Sequence, residues 1–221
     1  MIKRAIAHFP RKLMFDIGAE FYAWMTWQDV WRTHCQELAH QFKLDTQSPR
    51  VLDVGIGPGV SALSIKDVYP QAEVVGLDFS SRMIRVAERY IARTDHDVEL
   101  ICADATQMPF EDASFDVVTG HSFLYLVPQK QQVIKEIVRV LKPGGRCVFL
   151  EPQEGSSHRD WMAMGGPFKF KLSMFLWKTV SGSIGPFTQD GLRALLSEGF
   201  EDVEVDGTLN DMGVWGVATK R

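Results

Sequence analysis

Cysteine is scarce in this chain, with three in 221 residues. Cys35, Cys102 and Cys147 show neither the spacing of a metal clip nor that of a redox pair. The expected state is three buried, reduced thiols in a cytoplasmic protein. No Cys/His cluster has metal-ligand spacing, which argues against metal-assisted chemistry. Apolar runs of about 18 residues are also lacking, so a membrane-spanning helix is not expected. The longest candidate, Trp161 to Trp177, is interrupted by Lys169 and Lys171. Basic charge is in deficit, with 24 Lys and Arg against 28 Asp and Glu and a formal net charge of -4. That balance disfavours a nucleic-acid partner. The N-terminus is basic (Lys3, Arg4, Arg11, Lys12) but has neither the unbroken apolar core nor the cleavage site of a secretion signal.

Hydrophobic residues make up 45% of the chain, enough for a sizeable core, and the length suits one domain. The first 45 or so residues read as helical and aromatic-rich, with Phe15, Phe21, Tyr22, Trp24, Trp27 and Trp31 close together. From Arg50 the pattern alternates between strand and helix. Strand-like runs occur at 51–54, 73–77, 98–101, 115–119 and 146–151, with helical segments at 60–69, 81–92 and 129–141 between them. Strands separated by helices imply parallel pairing with right-handed crossovers. The near-continuous apolar character of the strands implies helices on both faces. Residues 153–187 break the alternation. A helix at 189–197 then precedes runs at 203–205 and 214–218, whose connection is too short for a crossover helix, so an antiparallel hairpin is expected. The expected fold is therefore α/β and Rossmann-like, with a seven-stranded, mostly parallel sheet whose last strand is antiparallel. Residues 1–48 form a helical cap, 49–152 the binding core, 153–187 an inserted lid and 188–221 the closing helix and hairpin.

Three marks fall at successive strand ends. Val51-Leu-Asp-Val-Gly-Ile-Gly-Pro-Gly59 joins the first strand to the first crossover helix. Its glycines permit a sharp turn, and a helix start offers free N–H groups suited to a carboxylate or phosphate. A dinucleotide fingerprint would place a glycine at position 60, where this chain has Val60. A nicotinamide-dependent oxidoreductase is thus the weaker reading. The loop, with Gly55, Ile56 and Gly57, suits a ligand whose carboxylate meets backbone N–H groups and whose amino group meets carbonyls or Asp53. Asp78 ends the second strand, where a carboxylate can accept two ribose hydroxyls, and Phe79 and Met83 can cover an adenine face. Asp104 and Ala105 follow the third strand and can meet the adenine amino group and a ring nitrogen. In an open α/β sheet these ends line one crevice.

With these residues in view, the stretch from Val51 to Glu151 resembles the class I S-adenosylmethionine-dependent methyltransferases. The glycine loop, Gly76-Leu-Asp-Phe-Ser80 with Met83, Cys102-Ala-Asp-Ala105, Met108-Pro-Phe110, Ser114-Phe-Asp-Val117 and Leu141-Lys-Pro-Gly-Gly145 carry the resemblance. Phe15-Asp16, Tyr22 and the closing 188–221 are similar to the ubiquinone/menaquinone-biosynthesis (UbiE-like) group and its small-molecule relatives. The resemblance implies S-adenosylmethionine as cofactor, with Tyr22, Gly120 and His121 also expected to bind it, and in-line methyl transfer to a small-molecule or lipid-like acceptor. The non-enzymatic alternative is a subunit that binds S-adenosylmethionine without transfer. Aligning the reactants and excluding water supply most of such catalysis. If the acceptor must lose a proton, His121 in Thr119-Gly120-His-Ser122 is the expected base, since an ordinary histidine titrates near neutrality. His158 is a weaker candidate, and Tyr125 is expected in the acceptor pocket. The fourth-strand end lacks the Asn/Asp-Pro-Pro-aromatic sequence of enzymes acting on planar amino groups. Phe168, Phe170, Met174, Phe175 and Trp177 are expected to build the acceptor pocket. Ile2, Ile6, Phe9 and Leu13 beside the basic residues also suit a helix resting on an anionic membrane, although Pro10 interrupts it. The acceptor's identity, the atom methylated and the oligomeric state are left open by the sequence.

Overall fold

A computed structural model describes residues 11–44, 46, 48–155 and 165–221, with side chains of the first helix described from Gly18 onward. The membrane-type pattern at Ile2, Ile6, Phe9 and Leu13, and His8, His158 and Trp161, lie outside the described residues or side chains, as do the side chains of Phe15 and Asp16.

The chain folds in the order α1 (Arg11–Thr26), α2 (Asp29–His40), β1 (Arg50–Val54), α3 (Val60–Val68), β2 (Glu73–Asp78), α4 (Ser81–Ile91), β3 (Glu99–Cys102) and β4 (Phe115–His121). A 3-10 turn (Leu124–Leu126) follows, then α5 (Lys130–Val140), β5 (Leu141–Pro152), α6 (Phe168–Ile184), α7 (Gln189–Ser197), β6 (Glu201–Thr208) and β7 (Gly213–Thr219). The strands form one sheet in the order β3-β2-β1-β4-β5-β7-β6. β1 to β5 pair in parallel, and β7 runs antiparallel to both of its neighbours. The seven-stranded fold expected from the alternating pattern is therefore the one observed.

Successive strand residues enter opposite layers. Val51, Val74, Val117, Val148 and Leu150 pack under α2, α3 and α6 in one core, whereas Leu52, Val75, Val118 and Phe149 pack under α5 and α7 in the other. Strands apolar on both sides along most of their length are what a sheet covered on both faces requires. The hairpin is placed by its own composition. β7 (GVWGVAT) is largely buried and inserts between two strands. β6, with Glu201, Asp202, Glu204 and Asp206, takes the edge, where charge discourages further pairing.

Two expectations need correction, on the start of β5 and the burial of Cys102, and the inserted segment gains a definite form. β5 begins at Leu141 and not at Arg146, because Leu141 already pairs with Phe115 before the Lys142-Pro-Gly-Gly145 detour shifts the register. Residues 168–184 of the inserted segment form a regular helix, α6. Cys102 is exposed, because it ends the edge strand β3, while Cys35 and Cys147 are buried. Burial raises the pKa of both buried thiols.

Candidate functional site

The C-terminal ends of β1 to β4 open into one cavity of about 490 Å³, within the range of small-molecule sites. The strand order reverses between β1 and β4, so their crossovers leave in opposite directions and a crevice opens between them. α1, α2, the loop after β4 and α6 complete the walls.

The glycine loop is tied to β2. Gly55 and Ile56 both donate their N–H groups to the Leu77 carbonyl, at 2.7 and 3.1 Å. Gly57 donates to Asp78 Oδ2 at 3.0 Å, and Ser80 donates its N–H to Asp78 Oδ1 at 2.9 Å. Asp78 is thereby held at the cavity wall with Phe79 and Met83. Ser80 caps α4 by accepting the Met83 N–H, which sets the start of that helix beside the site. Gly55 has φ +73, and a Cβ there would stand 2.6 Å from Phe123, so both conformation and packing demand glycine. Tyr22 of α1 covers the loop: its Cε1 would lie 3.7 Å from a Cβ on Gly57. Burial first, then the charges of Cys35, Asp78 and Glu151, push the Tyr22 hydroxyl up to about 12.

Asp104 and Ala105 line the cavity at the end of β3. Asp104 Oδ1 accepts from the N–H and hydroxyl of Thr106, both at 2.8 Å, and so shapes the turn as well as facing the cavity.

Asp53 and Gly120, both expected to bind the cofactor, instead stand behind the cavity wall and do not line it. Asp53 is fully buried, accepts from Ser61 Oγ at 2.5 Å, and has no partner for Oδ1 among the described residues. Ser61 lies between it and the cavity. Burial pushes the Asp53 carboxyl up to about 7, against the Ser61 hydrogen bond and with help from Asp78. Gly120 answers a packing demand, since a Cβ there would lie 2.8 Å from Phe149 and 3.0 Å from the Val54 carbonyl.

His121, at the end of β4, does line the cavity. The ordinary titration expected of it is not found. Burial, and then the charge of His34, push it down to about 4 against a contact with its own carbonyl, leaving the ring neutral near pH 7. Its Nδ1 lies 3.2 Å from Ser122 Oγ, and its Nε2 is buried without a partner among the described residues. Trp31 meets the ring edge-on at 5.3 Å. Tyr125 is buried and also lines the cavity.

The wall contributed by α6 differs from the expected aromatic set. Ser173, Leu176, Trp177 and Val180 face the cavity, a spacing of three, one and three that marks one face of α6. Phe170 and Met174 point into the core around Trp31, Phe168 is 78% exposed, and Phe175 is not on the wall. A helix cannot turn all five predicted residues to one side. Trp31 donates its indole N–H to Ser173 Oγ at 3.0 Å, which locks α2 against α6.

Sequence reading missed Glu151. It is fully buried at the end of β5 and accepts three backbone N–H groups, from Phe123 (3.1 Å), Leu124 (2.8 Å) and Tyr125 (3.1 Å). It thus holds the turn that forms the cavity wall after β4. Burial pushes this carboxyl up to about 7, against those three hydrogen bonds and Lys130. The available signal was an acidic residue ending the otherwise apolar run Cys147–Leu150.

Among the described residues no group of His, Cys, Asp and Glu is placed to hold a metal ion. No helix among them is long and apolar enough to cross a membrane.

Residues 51–145 match the family model described as "Methyltransferase domain". The chain is 37% identical over 147 residues to a demethylmenaquinone methyltransferase of Listeria monocytogenes, covering 66% of this chain and 60% of that protein. It is 34% identical over 163 residues to a demethylmenaquinone methyltransferase of Thermus thermophilus, covering 71% and 69%. The match to the Listeria relative thus spans less than two thirds of that protein's length. In fold the chain is similar to phosphoethanolamine N-methyltransferase 2 of Haemonchus contortus in complex with S-adenosyl-L-methionine, with a TM-score of 0.72 at 18% identity, covering 97% of this chain and 60% of that one.

Proposed function

Because the chain belongs to the class I S-adenosylmethionine-dependent methyltransferases, we propose that it moves the methyl group of that cofactor onto an apolar, quinone-like small molecule. The observation that carries this reading is that one cavity joins two chemistries. Its strand-end side holds Asp78, Asp104 and the backbone of the glycine loop, and its far wall is made of Trp31, Leu126, Leu176, Trp177 and Val180. The relatives' name, demethylmenaquinone methyltransferase, supports an acceptor of that class.

The residues present fit the cofactor. Asp78 can accept the ribose hydroxyls, Phe79 and Met83 can flank the adenine, and Asp104 with the Ala105 N–H can meet its edge. Gly55, Ile56 and Gly57 bring backbone close to the amino-acid part, and Tyr22 closes over them. Asp53, buried behind Ser61 with one oxygen unpaired, gains a negative charge suited to an ammonium group as pH rises through about 7. When bound, S-adenosylmethionine supplies an electrophilic methyl carbon whose bond to sulfur breaks with its electron pair as the acceptor's new bond forms. The protein's part is to align the acceptor and keep water out, and the apolar wall does both.

The cavity mouth supports uptake of the acceptor from a lipid surface. Phe21 and Trp24 of α1, Phe79 and Phe168 are exposed by 57, 51, 41 and 78%, and Phe21 and Phe79 also line the cavity. Lys169 sits over Trp24 at 4.7 Å, and α4, which packs on α1, exposes Arg82, Arg85 and Arg89. Exposed aromatic rings with Lys169 over Trp24 suit an anionic membrane interface, although Arg89 is paired with Glu20 of α1 and the net charge of the chain is -4.

The test is to incubate the protein with S-adenosylmethionine and 1,4-naphthohydroquinone and look for the ring-methylated product by mass spectrometry. Cofactor binding without methylation of hydroquinones, together with turnover of phosphoethanolamine, would overturn the acceptor class.

A further inference from the structure

The connection from β3 to β4 passes two strands of the sheet without a helix. β3 lies at the edge, β4 lies beyond β2 and β1, and residues 103–114 between them form neither helix nor strand. An irregular stretch must find partners for its backbone groups elsewhere. Its first residues, Ala103, Asp104, Ala105 and Thr106, line the cavity. One face of α5 supplies partners for the rest. Arg139 donates from Nη1 to the Phe110 carbonyl at 2.7 Å and to Asp112 Oδ1 at 2.8 Å, and from Nη2 to the Met108 carbonyl at 3.0 Å. It also grips Glu136 through Nε and Nη2, at 2.9 and 2.8 Å. A guanidinium has five N–H groups, and these bonds use them all. Glu136 Oε2 in turn accepts the Met108 N–H at 2.7 Å, so one ion pair holds both backbone polar groups of Met108. Gln132, one turn earlier on the same face, donates to the Thr106 carbonyl at 3.3 Å. Neither Glu136 nor Arg139 lines the cavity.

We infer that Glu136 and Arg139 are positioning residues that set the selectivity of the site for the cofactor's nucleobase, by fixing the loop that carries Asp104 and Ala105. This rests on the reading of those two residues as the ones that meet the adenine edge. Asp104 Oδ1 accepts from the N–H and hydroxyl of Thr106, so the carboxylate moves with the loop. Met108 is two residues further on, buried in the same core as Ala105 and Phe115. A loop free to shift would still cover a base with apolar surface. It would no longer tell a base with an amino group from one with oxygen in its place, because only a well-placed polar partner rejects the wrong group. The fork geometry of arginine is needed here. A lysine ammonium keeps the charge but cannot span two carbonyls and a bidentate carboxylate at once.

The test compares S-adenosylhomocysteine with S-inosylhomocysteine, which carries oxygen in place of the adenine amino group. In calorimetric titration the wild type should prefer the adenosyl compound by about tenfold or more, the worth of one hydrogen bond to a charged group. Arg139→Lys, Arg139→Met and the near-isosteric Glu136→Gln should each reduce that preference to about threefold or less. Gly120→Ala, a core substitution away from the loop, should lower the urea midpoint and keep the preference. A wild-type preference retained by either Arg139→Lys or Glu136→Gln would overturn the assignment. So would a preference lost equally in Gly120→Ala, which would mark the effect as one of general instability, or a wild type that binds both compounds alike. Failure of the methyl-transfer reading itself would show differently, as no binding of S-adenosylmethionine by the wild type.

Discussion

The Asp78 carboxylate accepts the Gly57 N–H at 3.0 Å, so the tip of the glycine loop hangs on the residue proposed to hold the ribose. One side chain therefore shapes the loop and faces the ligand. Asp78→Ala should weaken S-adenosylmethionine binding by roughly 100-fold or more, since hydrogen bonds to a charged group contribute about 1.5–3 kcal/mol each. The strands beneath are largely apolar and buried and should keep the fold. Calorimetric titration beside circular dichroism checks both, and an unchanged affinity would remove Asp78 from the site.

Gly55 and Gly120 make a contrasting pair. Gly55→Ala places a methyl at φ +73, 2.6 Å from Phe123, and should cost about 1–3 kcal/mol while displacing the loop that lines the cavity. Gly120→Ala pushes against Phe149 and the Val54 carbonyl inside the core and should lower stability by about as much. Affinity per folded molecule should fall in the first variant and hold in the second. Equal affinities in the two would show that the loop geometry does not govern binding.

Asp53 gives a pH dependence with a definite sign. Its folded pKa, about 7, lies above the ordinary value of 3.8, so the native state keeps a proton that the unfolded chain has already released. The associated stability is complete below pH 3.8 and is lost as pH rises through about 7. Between pH 5 and 8, Asp53→Asn should gain roughly 3 kcal/mol relative to the wild type. Urea titrations of both proteins at the two pH values measure this, and a constant difference would refute it.

Membrane docking at the cavity mouth has its own test. Replacing Phe21, Trp24 and Phe168 by Ser should reduce co-sedimentation with phosphatidylglycerol vesicles about tenfold or more, since interfacial affinity follows buried apolar area. Affinity for S-adenosylmethionine should change little in the Trp24 and Phe168 single variants, because neither residue lines the cavity. Indifference of the wild type to vesicles would end this reading.

Much of the site was legible because it is built from strand ends. Gly55, Gly57, Asp78, Asp104 and His121 each follow an apolar run, and parallel pairing brings such positions to one edge of a sheet. Glu151 escaped notice because it was read as the last residue of the strand-like run 146–151, with nothing nearby in sequence to mark a partner. Only the fold shows three backbone N–H groups converging on it. The inserted segment misled for a different reason: its aromatic composition says nothing about which turn of α6 faces inward.

The sequence by itself determined the order of strands and helices, the crevice they imply and the residues at its rim. Those follow from local periodicity and turn chemistry, which act over a few residues. The tertiary structure alone decided that Ser122, 55 residues before Trp177, receives its indole N–H, and that Trp31, 142 residues before Ser173, locks α2 onto α6. It also decided that His121 is too buried to hold a proton near neutral pH. Desolvation and long-range hydrogen bonding depend on what packs against a side chain, and distant parts of the chain supply those neighbours.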